Sequence, residues 1–167
     1  STGVTGLENN NGTFHNTGGS ITINQNNTTG MKNLLGGTIN NSGNIVISNI
    51  ASPGQLGLGI DNKVFFNNNS GGQIRIDQTS GGGISNSPGA TFNNDATIII
   101  GATAAVGLNG IYNAALFNNN AGGQVTIDRT SGPGLRLLNG SFLNRGSLTI
   151  GEITPITDLI SGTASDF

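Results

Sequence analysis

The chain has no cysteine and no tryptophan, a single tyrosine and a single methionine, and charged side chains make up only 8% of it. Without cysteine there is no disulfide framework and no thiol chemistry. That is compatible with any compartment, and it suits a bacterial surface protein better than a small disulfide-stapled secreted domain. Six Lys and Arg against eight Asp and Glu leave a net charge of −2. Binding to nucleic acid or to an anionic membrane needs clustered cations, so neither partner is expected. No apolar run approaches the ~18 residues that cross a bilayer as a helix, so membrane insertion is not expected either. The chain starts at Ser1 and shows no signal peptide, which makes a processed form or a piece of a longer protein the expectation.

What the chain has in excess is asparagine and glycine, the latter 29 times. Scattered without order, such residues would read as disorder. Here they recur in phase with bulky apolar residues, in the pairs Phe14/Asn16, Ile39/Asn41, Phe66/Asn68, Phe92/Asn94, Phe117/Asn119 and Phe142/Asn144. The spacings are 25, 27, 26, 25 and 25 residues. A fixed period of this length is the signature of stacked repeats, each burying its apolar positions against the coils on either side.

One copy, residues 134–150, contains three short strand patterns separated by turn residues. The first is Gly-apolar-x-Asn, as in Gly6-Leu7-Glu8-Asn9, Gly30-Met31-Lys32-Asn33, Gly59-Ile60-Asp61-Asn62, Gly83-Ile84-Ser85-Asn86 and Gly110-Ile111-Tyr112-Asn113. The copy at Gly134 departs from it, with Leu137 in the asparagine place. The second carries the apolar-x-Asn pairs above. The third alternates, as Ile21/Ile23, Ile45/Ile47, Ile74/Ile76, Ile98/Ile100, Val125/Ile127 and Leu148/Ile150, which puts both apolar residues on one strand face. Three strands and three turns in about 25 residues describe one rung of a parallel β-helix. The fold class is therefore all-β, a β-solenoid of about six three-strand rungs, right-handed by the general crossover preference.

Each repeated position becomes a ladder along the axis, with rungs about 4.8 Å apart. Phe14, Ile39, Phe66, Phe92, Phe117 and Phe142 are expected to stack inside. Asn16, Asn41, Asn68, Asn94, Asn119 and Asn144 are expected to form a structural ladder, because an amide carries both a donor and an acceptor and can bond up and down the stack. Asparagine also tolerates a left-handed corner. Gly6, Gly30, Gly59, Gly83, Gly110 and Gly134 are expected at corners of positive φ. The links from the third strand to the next glycine alternate in length, and DQTSGGG and DRTSGPG stand 51 residues apart. The sequence unit is thus a two-coil pair within a single domain spanning 1–167, with units at about 6–58, 59–109 and 110–161. The long links Ser48–Leu58 and Gly101–Asn109 are expected to bulge from alternate rungs. Neither end shows an amphipathic or charged cap, and both stop in phase, so uncapped ends are expected that continue into further repeats or meet another copy.

These motifs resemble the Asn/Gly-rich β-helix repeats of large secreted bacterial surface proteins, filamentous haemagglutinin-like adhesins and similar repeat proteins. The carrying residues are the F-x-N, G-[LI]-x-N and I-x-I copies, such as Phe117-Asn118-Asn119 with Val125-Thr126-Ile127. The resemblance covers about residues 6–151 and is specific for architecture. It implies an extracellular or cell-surface scaffold, a stalk or fibre, with adhesion as a second role.

Enzymes also use parallel β-helices, and their sites need carboxylates close together or beside Lys or Arg. Here the acids are Glu8, Asp61, Asp77, Asp95, Asp128, Glu152, Asp158 and Asp166. Asp77 and Asp128 fall two rungs apart with Gly101 between them, a spacing that suits turn capping better than catalysis and leaves only a weak case for calcium. His15 has no second histidine to share a metal and is read as a surface residue. No enzyme, no catalytic residue, no metal and no cofactor is therefore expected. Ice binding would need an unbroken outward threonine face, and Arg75 and Ile99 interrupt it. Asn40, Asn67, Asn93 and Asn118 stack on an outward face that could meet a glycan, although aromatic platforms are limited to Tyr112 and Phe65. The sequence thus predicts a structural solenoid that self-associates through its ends, with a glycan- or surface-binding adhesin module as the alternative.

Overall fold

A computed structural model describes residues 4–24, 28–51 and 57–151, together with the backbone of 160–162. Parts of the links and ends read from the sequence (1–3, 25–27, 52–56, 152–159 and 163–167) lie outside the described residues. The chain is a parallel β-solenoid built of three sheets. The first sheet stacks Thr5–Asn10, Thr29–Leu34, Leu58–Asn62, Ile84–Asn86, Ile111–Asn113, Leu135–Leu137 and Ile160–Gly162. The second stacks Thr13–Asn16, Thr38–Asn41, Phe65–Asn68, Thr91–Asn94, Leu116–Asn119 and Ser141–Asn144. The third stacks Ser20–Asn24, Asn44–Ile50, Gln73–Thr79, Thr97–Ile100, Gln124–Ile127 and Ser147–Ile150. These are the three strand patterns of the repeat, each pairing with its own copy one coil away.

The register is the one the apolar spacing demands. Phe66, Phe92, Phe117 and Phe142 are direct partners along the second sheet. Their rings lie face to face with centroids 4.6, 4.7 and 4.9 Å apart, which is the rung spacing itself. Exact stacking is not the arrangement aromatic quadrupoles prefer; the parallel ladder imposes it by repeating one side chain at one position. Around this stack run Met31, Ile60, Ile84, Ile111 and Leu135 from the first sheet, with two aliphatic rows from the third, Ile45, Ile74, Ile98 and Val125 and Ile23, Ile47, Ile76, Ile100 and Ile127, all buried. Each fully buried side chain contributes about 1.5–3 kcal/mol, so the apolar rows dominate stability.

Two expectations are corrected. None of Gly6, Gly30, Gly59, Gly83, Gly110 and Gly134 has positive φ; the left-handed positions among the described residues are Gly18, Gly36, Gly71, Gly89, Gly101 and Gly151, with Asn11, Leu35, Asn49, Gln78 and Asn139. Gly30, Gly59, Gly83 and Gly110 are required instead by close approach. A Cβ on Gly59 would stand 2.6 Å from the Gly83 carbonyl oxygen and 2.6 Å from Ile76 Cγ2, inside both the next coil and the third strand of its own. The ladder asparagines likewise do not turn a left-handed corner.

The long links also do more than bulge. Ile50 and Val106 are fully buried members of the core. Ile50 pairs with Thr79 of the next coil, Gly107 N–H donates to the Thr79 carbonyl at 2.7 Å, and Val106 bridges to Thr130. Long and short links therefore alternate along a fourth, narrower stack that closes the corner between the third and first sheets.

Candidate functional site

Among the described residues the polar side chains are organised by the ladder before anything else. Asn16 donates to Asn41, Asn41 to Asn68, Asn68 to Asn94, Asn94 to Asn119 and Asn119 to Asn144, each at 2.8 Å. The four central members are completely buried. An amide in such a place must find partners for every donor and acceptor, and each finds them on the neighbouring coils and in its own turn. Asn94, for example, also donates to the Ala96 carbonyl at 3.0 Å and accepts from the Ala96 N–H at 3.4 Å.

A second buried ladder arises from the Gly-apolar-x-Asn motif, through Asn9, Asn33, Asn62, Asn86 and Asn113 at 2.8–3.0 Å. The sequence shows the repetition of that motif, whereas its amide chain appears only once these side chains are seen to face inward and touch. It stops where Leu137 replaces asparagine: Asn113 turns its amide to the Ser141 and Ala115 carbonyls, at 2.8 and 3.1 Å. These two ladders hold the turns between the first and second sheets and between the second and third, as the bonds of Asn113 to Ala115 and of Asn94 to Ala96 show.

The outward row is a third ladder. Asn67 donates to Asn40, Asn93 to Asn67 and Asn118 to Asn93, all at 2.8 Å and in the sense opposite to the buried ladders. It is half-buried, and it is bounded by exposed His15 at one end and exposed Leu143 at the other. Asn67 and Asn93 each use one N–H and one oxygen lone pair within the row, Asn40 only accepts and Asn118 only donates.

Asp61, Asp77, Asp95 and Asp128 each have a local partner. Asp77 is buried beside Arg75, whose Nε lies 2.7 Å from Asp77 Oδ2. Its other oxygen accepts the Thr103 and Ala104 N–H groups of the next coil's long link, at 2.9 and 3.4 Å. Burial alone pushes the Asp77 carboxyl up; the Thr103 N–H, the Arg75 guanidinium and the Ala104 N–H together outweigh it, and the net position is below the ordinary carboxylate value. Two coils on, Arg129 pairs with buried Asp128 at 3.1 Å and donates to the Gly101 and Ala102 carbonyls. The link at 101–104 is thus clasped from one side by Asp77 and from the other by Arg129. Asp61 faces Lys63 at 3.8 Å, and Asp95 accepts from Asn120 at 2.9 Å. Among the described residues no three of His, Cys, Asp and Glu come together as a metal ion would require. Glu152, Asp158 and Asp166 lie outside the described residues.

At the two ends the pattern opens. Leu7, Phe14 and Ile21 of the first coil are only partly buried, whereas Met31, Ile39 and Ile45, their partners on the second, are fully enclosed. Leu148 and Ile150 are likewise only partly buried, and Asn144 is exposed. No protein-family model, no curated protein and no solved structure matches this chain.

Proposed function

We propose that the chain is a structural β-solenoid, a scaffold on the outside of a bacterial cell that extends by stacking coil upon coil into a stalk or fibre. The observation that carries this reading is the state of the terminal coils. The apolar rows that are enclosed in the interior coils are only partly buried in the terminal ones, Leu7, Phe14 and Ile21 at one end and Leu148 and Ile150 at the other. Unpaired strand edges and a partly exposed apolar row are what the next coil of the same kind would cover. If that coil belongs to a second copy, the contact is head to tail, and without a closing rotation it propagates as a filament. The adhesin-type surface proteins that the motifs resemble supply the extracellular setting.

Electron microscopy of the purified chain at neutral pH, with its mass in solution, tests this. Thin fibres whose subunits continue the ~4.8 Å ladder are expected. Discrete, fully capped monomers that never elongate would refute end-to-end assembly of this chain.

A second reading rests on the outward row. Asn40, Asn67, Asn93 and Asn118 each retain at least one amide N–H and one lone pair beyond those used within the row. A regular half-buried row of such groups suits glycan hydroxyls. Glycan-array binding that disappears on changing Asn67, Asn93 and Asn118 would support the adhesin reading, and unchanged binding would sink it.

A further inference from the structure

On the outer face of the first sheet one column reads Glu8, Lys32, Asp61, Ser85, Tyr112 and Arg136, in direct register from coil to coil. Beside its smallest member, Ser85, a cavity of about 280 Å³ opens, with Leu58, Leu108, Asn109, Tyr112 and Arg136 completing its walls. Its volume lies at the lower edge of the range for ligand pockets, about 300–1,000 Å³, which limits it to a ligand about the size of a single ring. Leu58 and Leu108 supply apolar surface, the Tyr112 ring is half-buried, and Ser85 and Asn109 add polar groups at the rim. A pyranose offers the matching surfaces, an apolar C–H face and an edge of hydroxyls.

The charge in the recess narrows the class. The Arg136 guanidinium carbon is 5.9 Å from the Tyr112 ring centroid, close enough for the ring to hold it in place. Lys63, Arg75 and Arg129 each face a carboxylate, whereas among the described residues Arg136 has none. The acid nearest to it within its own column, Asp61, is three coils away, roughly 14 Å by the strand spacing. That exceeds the Debye length of about 8 Å at physiological salt, and Asp61 faces Lys63. A planar guanidinium held at the mouth of a ring-sized apolar recess is complementary to a carboxylate.

We infer that this recess binds one carboxylated sugar residue of an acidic glycan, with the ring against Tyr112, Leu58 and Leu108 and the carboxylate on Arg136. The inference is independent of end-to-end stacking and of the outward asparagine row.

Tyr112 is the one tyrosine and the chain has no tryptophan, so tyrosine emission reports this recess alone. The full chain is titrated with sodium glucuronate, glucose and sodium acetate at constant ionic strength. A saturable change with glucuronate is expected, about tenfold tighter than with glucose and absent with acetate. Arg136→Gln should weaken glucuronate about tenfold and leave glucose unchanged, while Ser85→Gln, which fills the recess, should abolish both. Arg136 is exposed, and far-UV circular dichroism of both variants checks that the coil is intact. The inference is overturned by any of four results: no saturable change by about 50 mM glucuronate, equal response to glucose, equal response to acetate, or an Arg136→Gln chain that binds glucuronate as before.

Discussion

The buried amide ladder makes a quantitative prediction at its centre, Asn94→Ala. Asn94 accepts from Asn68 and donates to Asn119, both at 2.8 Å, and both of those partners are fully buried. The substitution strips a partner from one Asn68 N–H and from the Asn119 oxygen, and removes the bonds that hold the Ala96 turn. A buried polar group left without its partner costs about 1–3 kcal/mol, and two such groups plus the turn place the loss at about 3–5 kcal/mol. Against a total of about 5–15 kcal/mol this is a large fraction. With a urea dependence of about 2 kcal/mol per molar, the unfolding midpoint should fall by about 2 M, read by circular dichroism. The double variant Asn68→Ala/Asn94→Ala separates the ladder from general packing. Because the Asn68–Asn94 bond is counted in both single losses, the double loss should be smaller than their sum by about 1 kcal/mol or more. A single loss under about 1 kcal/mol, or strict additivity, would refute the argument that the amides support one another.

Three further outcomes are expected. Phe92→Ala empties the middle of the ring stack between Phe66 and Phe117 and should cost about 3–5 kcal/mol in the same urea assay. Gly59→Ala places a Cβ 2.6 Å from the Gly83 carbonyl oxygen, while Gly89→Ala meets nothing within 4 Å and bears only the strain of its φ of +82°; the first should lower the melting temperature several times more than the second, and equal shifts would contradict the close-approach reading. Asp77 has a folded pKa below its unfolded value of about 3.9, so its contribution is complete above that value and is lost as pH falls through the folded one. Melting curves taken from pH 7 to pH 2 should show the natural chain losing part of its advantage over Asp77→Asn, and a constant gap would show that the Asp77 clasp does not titrate as argued.

Much of the coil was legible because period and chemistry agree. The Phe92/Asn94 spacing of two within a strand places both side chains on the inner face, and repetition about 25 residues later places their copies directly above. An aromatic at that place stacks on its copies, and an amide there can bond along the axis as well as to its own turn. The Gly-apolar-x-Asn motif announced its strand equally well. Its amide ladder needed the further knowledge that Asn33 and Asn62 point inward and touch.

What remained illegible depends on distances between strands that are far apart along the chain. Gly59 is glycine because Ile76 and Gly83 crowd it, and nothing local to residue 59 records either neighbour. Val106 sits in a link of bends and glycines, and its burial follows from the short link of the next coil passing beside it at Thr130. The recess at Tyr112 likewise combines residues 58, 85, 108, 112 and 136 from successive coils.

The sequence by itself determined that this protein is a stacked all-β coil, its rung length, its three strands per rung and the identity of its aromatic and amide rows, because a side-chain period of two and a repeat of about 25 leave a parallel ladder as the arrangement that buries those rows. Only the tertiary structure decided which glycines are forced by contact, how the links close the fourth corner, in which direction each amide row donates, and where the outer face is hollow. Those are set by how adjacent coils and facing sheets meet, and side chains 25 or more residues apart meet only once the coil has closed.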